Sequence, residues 1–163
     1  MRRFRGSRWI CALLFATAVL CAQLAEQPAF KLRRLSDDPI LAPRGHGWES
    51  AGTFNPSVIE HQGKIILLYR AQDTHGTSRL GYAESTDGIH FLRREEPVFS
   101  PETDYEKEGG VEDPRLVQFG DTYYLTYTGY NLKDAQLSLA TSKDLIHWER
   151  QGVIVPPIWE IGM

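Results

Sequence analysis

Asp113-Pro114-Arg115-Leu116-Val117 runs through Gly120-Asp121 into Tyr123-Tyr124-Leu125-Thr126-Tyr127-Thr128, then Gln136-Leu137-Ser138-Leu139-Ala140-Thr141-Ser142, then Asp144-Leu145-Ile146-His147-Trp148. The same series has already occurred once. Asn55-Pro56-Ser57-Val58-Ile59 leads through Gln62-Gly63 to Ile65-Ile66-Leu67-Leu68-Tyr69-Arg70, then Ser78-Arg79-Leu80-Gly81-Tyr82-Ala83-Glu84-Ser85, then Asp87-Gly88-Ile89-His90-Phe91. Asn55 and Asp113 are 58 residues apart, as are Tyr69 and Tyr127, while Ala83 and Ala140, Ser85 and Ser142, and His90 and His147 are 57 apart. A register that drifts by one residue over so many matches marks an internal repeat, and two such segments fold alike.

Each copy holds three or four short runs rich in Val, Ile, Leu, Tyr and Thr, parted by Gly, Asp or Asn, which is the pattern of antiparallel strands. A strand-rich repeat of tens of residues predicts an all-β propeller with one blade per repeat. The period exceeds the roughly 40–45 residues of a WD40 blade, and the Gly-His and Trp-Asp signature is absent, so another propeller class is required. The expected blades span about 50–101 and 108–157. Two blades do not close a ring, and an open ring leaves unpaired strand edges. An incomplete propeller is therefore expected, either a truncated chain or one that assembles with others.

The first 25 residues follow different rules. Arg2, Arg3, Arg5 and Arg8 precede an uncharged stretch from Trp9 to Ala22, the pattern of a secretory signal peptide over 1–25. That run is shorter than the ~20 residues that span a bilayer, so an exported chain (periplasmic or secreted) without a stable membrane anchor is expected. Both cysteines, Cys11 and Cys21, fall inside this segment, so residues 26–163 have no disulfide framework. Removing the four arginines changes 18 basic and 21 acidic residues to 14 and 21, a formal charge of −7. Such a surface suits neither nucleic acid nor anionic membrane.

The two copies differ where the chemistry can sit. Innermost blade strands line a propeller's central channel, so Asn55 and Asp113 are expected to face the same funnel. A proline after each fits a strand start, where its missing N–H breaks no ladder bond. An amide can only bind a hydroxyl, whereas a carboxylic acid can also pass a proton. The plainer reading of Asp113-Pro114 is a turn.

Asn55-Pro56, Tyr69-Arg70, Ser78 to Gly88 and above all Gly110-Val111-Glu112-Asp113-Pro114-Arg115 resemble glycoside hydrolase family 130, the β-mannoside phosphorylases and related hydrolases. The resemblance covers roughly Pro43 to Pro157 and implies a five-bladed β-propeller, of which about two blades are present. It implies that Asp113 is the general acid that protonates the glycosidic oxygen, directly or through a sugar hydroxyl, and that Asn55 and Arg70 contact the sugar before the cleaved bond. It further implies inverting phosphorolysis or hydrolysis of a β-mannosidic oligosaccharide. Inorganic phosphate would serve as co-substrate, and no other cofactor is called for. Phosphate in place of an activated water explains how one carboxylate can suffice where most inverting glycosidases use two. Asn131 lies where the family can place a phosphate contact, and Arg115 is a candidate sugar contact.

Structural readings stand beside these. Glu112 is expected to anchor its loop, since successive strand residues point to opposite faces. Arg70 ends an apolar strand and also suits a buried carboxylate; Arg79 and Arg115 suit ion pairs; Asn131 suits a turn. His90 and His147, at matching places, are read as packing common to both blades, and Asp87-Gly88 and Asp144-Leu145 as hairpin turns. Trp48, close to His46 and Glu49, either stacks on a sugar or covers a blade edge. No Cys/His metal spacing or Gly-x-Ser-x-Gly elbow occurs. Export tilts the expectation slightly toward hydrolysis, because phosphorolysis conserves energy best where the sugar phosphate stays in the cell. Two other functions remain: a five-bladed furanosidase, which would normally carry an early aspartate where Asn55 stands, and a non-catalytic sugar-binding or inactive fragment.

Overall fold

The computed structural model describes residues 32–155. The expected signal peptide over 1–25 lies outside them. Residues from Asp38 onward form one compact unit, and residues 32–37 belong to a separate one.

Among the described residues a single 3-10 turn, Gly47–Glu49, precedes eight strands: β1 Gly52–His61, β2 Lys64–Gln72, β3 Ser78–Ser85, β4 Leu92–Arg93, β5 Gly110–Phe119, β6 Thr122–Tyr130, β7 Ala135–Ser142 and β8 Glu149–Val155. β1 to β4 pair antiparallel in chain order, and β5 to β8 repeat the arrangement. A parallel bridge between Ser78 and Gly110 joins the two blades. This is the all-β architecture read from the repeat, as two blades of a propeller.

The turns explain why the strands end where they do. Gln62-Gly63 joins β1 to β2 with both residues at positive φ, 52° and 74°, as a two-residue hairpin of right-handed twist requires. After β3 and β7 the chain turns through Ser85-Thr86-Asp87 and Ser142-Lys143-Asp144. In each, the serine Oγ and aspartate Oδ1 accept backbone N–H groups. The histidine then closes the turn, Nδ1 lying 2.7 Å from Asp87 Oδ2 for His90 and 2.7 Å from Asp144 Oδ2 for His147. Both imidazoles are 86% exposed, so their shared structural role is to lock turns and not the packing common to both blades that the repeat suggested. The His90 side chain and the N–H groups of His90 and Ile89 hold the Asp87 carboxyl well below the usual range. For Asp144 burial acts upward but is outweighed by the same hydrogen bonds from His147 and Ile146.

The main core lies between the blades: Leu68 and Leu80 from the first, Val111, Leu125, Tyr127 and Ala140 from the second, with Phe99 from the link between them. Leu67, Tyr69, Ala71 and Ala83 cover the other face of the first blade, under Leu41, Trp48 and Phe91. Trp48 therefore covers a blade face: its ring lies 6.2 Å from that of Tyr69, and its Nε1 donates to the Glu95 carbonyl at 2.8 Å. Each fully buried leucine, valine or phenylalanine of the interblade cluster contributes about 1.5–3 kcal/mol, so that cluster helps to hold the two blades together.

Candidate functional site

Asn55 and Asp113 interrupt their strands identically. The pairing of β1 with β2 slips between Phe54 and Ser57, and that of β5 with β6 slips between Glu112 and Arg115. Both residues have positive φ, 39° and 49°. Asn and Asp tolerate that conformation better than other side chains, and proline is admitted to a strand at such a bulge because no ladder N–H is needed there. The prolines thus mark mid-strand bulges and not the strand starts expected from sequence. The bulge is a reason for Asx at both sites apart from chemistry, and it re-aims each side chain toward the other.

The two side chains meet. Asn55 Nδ2 donates to Asp113 Oδ1 at 2.7 Å. Asp113 is 40% exposed at its side chain, and its Oδ2 makes no side-chain hydrogen bond among the described residues. A second link between the inner strands, from Leu116 N–H to Ser57 Oγ at 2.9 Å, fixes β5 against β1.

Arg70 completes the cluster from β2. Its Nη2 lies 2.6 Å from Glu112 Oε1, its Nη1 3.7 Å from Asp113 Oδ1, and its Nε donates to Ser78 Oγ at 3.0 Å. The ring of Phe54 lies under the guanidinium, 5.2 Å from Cζ to centroid. Ser78 Oγ in turn donates to Glu112 Oε1 at 3.0 Å. Arg70 is the partner of a mostly buried carboxylate, and Glu112 anchors β5 to the first blade. Their side chains are 19% and 14% exposed, a setting in which a charged hydrogen bond is worth more than at the surface.

Gly110 makes this approach possible. Gly110 has φ of 99°, and a Cβ on it would stand 2.2 Å from the Ser78 carbonyl oxygen and 2.4 Å from its nitrogen. Only glycine lets β5 lie so close to β3, and that closeness brings Glu112 and Asp113 to Arg70. The sequence reading quoted Ser78 and Gly110 within its motifs without giving either a role, and it passed over Phe54; the signal available for Gly110 was Gly-Gly immediately before Val111-Glu112-Asp113.

The remaining candidates stand apart. Arg115 donates to the Pro114 carbonyl at 2.8 Å and makes no ion pair among the described residues. Asn131 Oδ1 accepts the N–H groups of Lys133 and Asp134, at 3.0 and 2.6 Å, so it builds the β6–β7 turn and keeps only its amide for a ligand. Arg79 forms an ion pair with Asp73 at 2.7 Å. Beside Asn55 lies a mostly apolar cleft of about 250 Å³, lined by Leu41, Thr53, Phe54 and Tyr69 among others. A larger cleft of about 630 Å³, edged by His46, Trp48, Asp73, His75 and Arg79, does not include the Asn55–Asp113 pair. Among the described residues no group of three or more His, Cys, Asp or Glu side chains is placed to hold a metal ion.

The arrangement is therefore a half-exposed carboxyl with one free oxygen, beside an amide donor and a fixed guanidinium. Residues 32–161 match the family model described as beta-1,4-mannooligosaccharide phosphorylase. The chain belongs to glycoside hydrolase family 130. A 1,2-beta-oligomannan phosphorylase of Thermoanaerobacter is 47% identical over 136 residues, covering 77% of this chain and 46% of its own. A solved structure from work on family 130 mannoside phosphorylases and hydrolases that target beta-1,2 mannosidic linkages in Candida mannan is 39% identical. It superposes with a TM-score of 0.71 over 78% of this chain and 43% of its own. A family 32 β-fructofuranosidase of Bombyx mori is more distant, 26% identical with a TM-score of 0.58 over 66% of this chain and 24% of its own. Family 130 membership decides against the furanosidase reading, for which Asn55 was already the wrong residue. The chain spans about half the length of the curated family 130 relatives it matches.

Proposed function

We propose that this chain carries the acid half of an enzyme that cleaves β-mannosidic oligosaccharides by inverting phosphorolysis. Asp113 delivers its proton from the free Oδ2 to the glycosidic oxygen, directly or through a sugar hydroxyl. Inorganic phosphate attacks the anomeric carbon from the opposite face, the C–O bond breaks, and the products are mannose 1-phosphate and a glycan shortened by one unit. Asn55 orients the carboxyl, and Arg70 and Asn55 present N–H groups to the sugar. Arg115 and Asn131 are secondary candidates, for sugar and phosphate respectively. An aspartic acid must be protonated to serve in this way, which a free aspartate near neutral pH is not.

The observation that carries this reading is the 2.7 Å contact from Asn55 to Asp113 Oδ1, which leaves the other carboxyl oxygen open. The similarity to named phosphorylases supports phosphate as the acceptor over the water suggested by an exported chain.

The test uses a family-length hybrid in which residues 32–161 of this chain replace the matching segment of the Thermoanaerobacter relative. Incubated with β-1,2-mannobiose, the hybrid releases mannose 1-phosphate when phosphate is present and little free mannose without it. Equal release of free mannose with and without phosphate would make the reaction hydrolysis, and release of neither product would remove the enzymatic reading.

A further inference from the structure

Arg70 stands between two carboxylates and is closer to the one that is not proposed to react. Its Nη2 is 2.6 Å from Glu112 Oε1, whereas Nη1 is 3.7 Å from Asp113 Oδ1, beyond hydrogen-bond distance. Three further contacts hold it there: Ser78 Oγ accepts from Nε at 3.0 Å, the same hydroxyl donates to Glu112 Oε1 at 3.0 Å, and Phe54 lies against the guanidinium. Gln72 Nε2 approaches Ser78 Oγ at 3.5 Å and steadies the hydroxyl. Ser78 is fully buried, so the hydroxyl cannot exchange this arrangement for water.

We propose that Glu112 and Ser78 are positioning residues that withhold Arg70 from Asp113, so that the reacting carboxyl can keep its proton. The inference rests on the acid role proposed for Asp113. A carboxylate within about 4–6 Å of an unshared cation gives up its proton more readily. Glu112 shares that cation's charge through the shorter contact, and the hydrogen bond that reaches Asp113 comes from the uncharged amide of Asn55, with Arg70 held at the longer 3.7 Å. Among the described residues the charged groups beside Asp113 are Arg70 from β2 and, on its own strand β5, Glu112 and Arg115, whose guanidinium donates to the Pro114 carbonyl; β1 contributes Asn55, and Thr128 stands opposite Glu112 on β6. The repeat points the same way. Counting 58 residues on from Arg70 leads to Thr128, so the second blade has no guanidinium at that place and the cluster is built once, where the acid is.

Two measurements test this. In a crystal structure of the full chain carrying Glu112→Gln, Arg70 turns and its Nη1 to Asp113 Oδ1 distance closes from 3.7 Å to a hydrogen bond. In the family-length hybrid the same substitution lowers turnover unevenly, by about ten-fold more at pH 8 than at pH 5.5, because an arginine hydrogen-bonded to a carboxyl favours its charged form. With Arg70→Gln added, that pH dependence of the loss disappears. An unmoved Arg70, or a loss equal at all pH values, would show that Glu112 only anchors the strand and would overturn the proposal. Should Glu112→Gln not fold, Ser78→Ala removes the shared hydroxyl alone and is expected to give the same uneven loss in smaller measure, with an even loss again counting against it. A parent hybrid inactive on every β-mannoside would refute the proposed function, and the Arg70 distance would still decide the positioning.

Discussion

Strands β2 and β6 hold the same place in their blades and are buried differently. In β2, Ile66, Leu67, Leu68 and Tyr69 are all buried, because one side of the strand meets the second blade and the other lies under Leu41, Trp48 and Phe91. In β6 burial alternates residue by residue: Tyr123, Leu125, Tyr127 and Gly129 are buried, with Tyr124, Thr126, Thr128 and Tyr130 half-buried. The sequences state the difference in advance, an unbroken Ile-Ile-Leu-Leu-Tyr against Tyr-Tyr-Leu-Thr-Tyr-Thr. A strand covered on both faces needs apolar residues at every position, and one covered on a single face needs them at every second.

Under this divergence the blades share a buried lock. Glu49 Oε2 accepts hydrogen bonds from Tyr69 at 3.1 Å and Arg93 at 2.9 Å, and Arg44 Nε lies 2.9 Å from its other oxygen. Glu106 accepts from Tyr127 at 3.0 Å and Arg150 at 3.3 Å, and from the N–H groups of Glu102 and Thr103 at 3.0 and 3.2 Å. The pairs Glu49/Glu106 and Arg93/Arg150 are each 57 residues apart, and Tyr69/Tyr127 58. Two backbone amides thus stand where the first blade uses Arg44. Burial, and then the Glu106 charge, pushes the Tyr127 hydroxyl up to about 12, which keeps it a donor. The blade fold is common property, therefore, and the proposed chemistry is the exception, at Asp113 and Arg70.

That comparison breaks most readily at the lock. Glu106→Ala and Glu49→Ala are each expected to lower unfolding free energy by about 1.5–3 kcal/mol, because each glutamate is 1% exposed and its removal leaves a buried tyrosine hydroxyl without its acceptor and a partly buried arginine with one partner fewer. Urea denaturation followed by far-UV circular dichroism measures both. A loss under about 1 kcal/mol at one site alone would show that the two clusters are not equivalent.

A smaller effect tests the turns. Asp87 and Asp144 hold depressed proton affinities, so the stability they contribute is present above about pH 4, the ordinary aspartate range, and is lost as pH falls through their lower folded values. Asp87→Asn and Asp144→Asn should each flatten the decline in thermal midpoint between pH 4 and pH 2. The two should do so alike, since the same Ser-x-Asp-x-x-His turn serves both blades. A change confined to one variant would separate the turns.

Much of this was legible in the sequence, for reasons that differ by residue. Periodicity and the 57 to 58 residue offsets revealed the strands, because strand patterning is local and repeats preserve it. The repeat put Asn55 and Asp113 at equivalent places on the inner strands, facing one funnel, while their direct contact is visible only in the structure. What stayed hidden depends on close approach between distant segments. Ser78 and Gly110 are separated in the chain by the whole return through β4, and nothing local to Ser78 reveals that it holds an arginine. Glu49 and Glu106 fell just outside the blade limits at 50 and 108, although the repeat offset applied to them would have found the lock. His90 and His147 misled because repetition marks a common turn as readily as a common core.

The second copy's carboxylate is the proposed chemical difference between the blades. The most direct measurement is turnover of β-1,2-mannobiose with phosphate by the family-length hybrid carrying Asp113→Asn, which makes the second blade match the first at this position. The amide keeps the shape of the side chain and has no proton to give, so turnover is expected to fall at least about 100-fold with substrate binding little changed. Turnover within a few-fold of the parent would contradict the account.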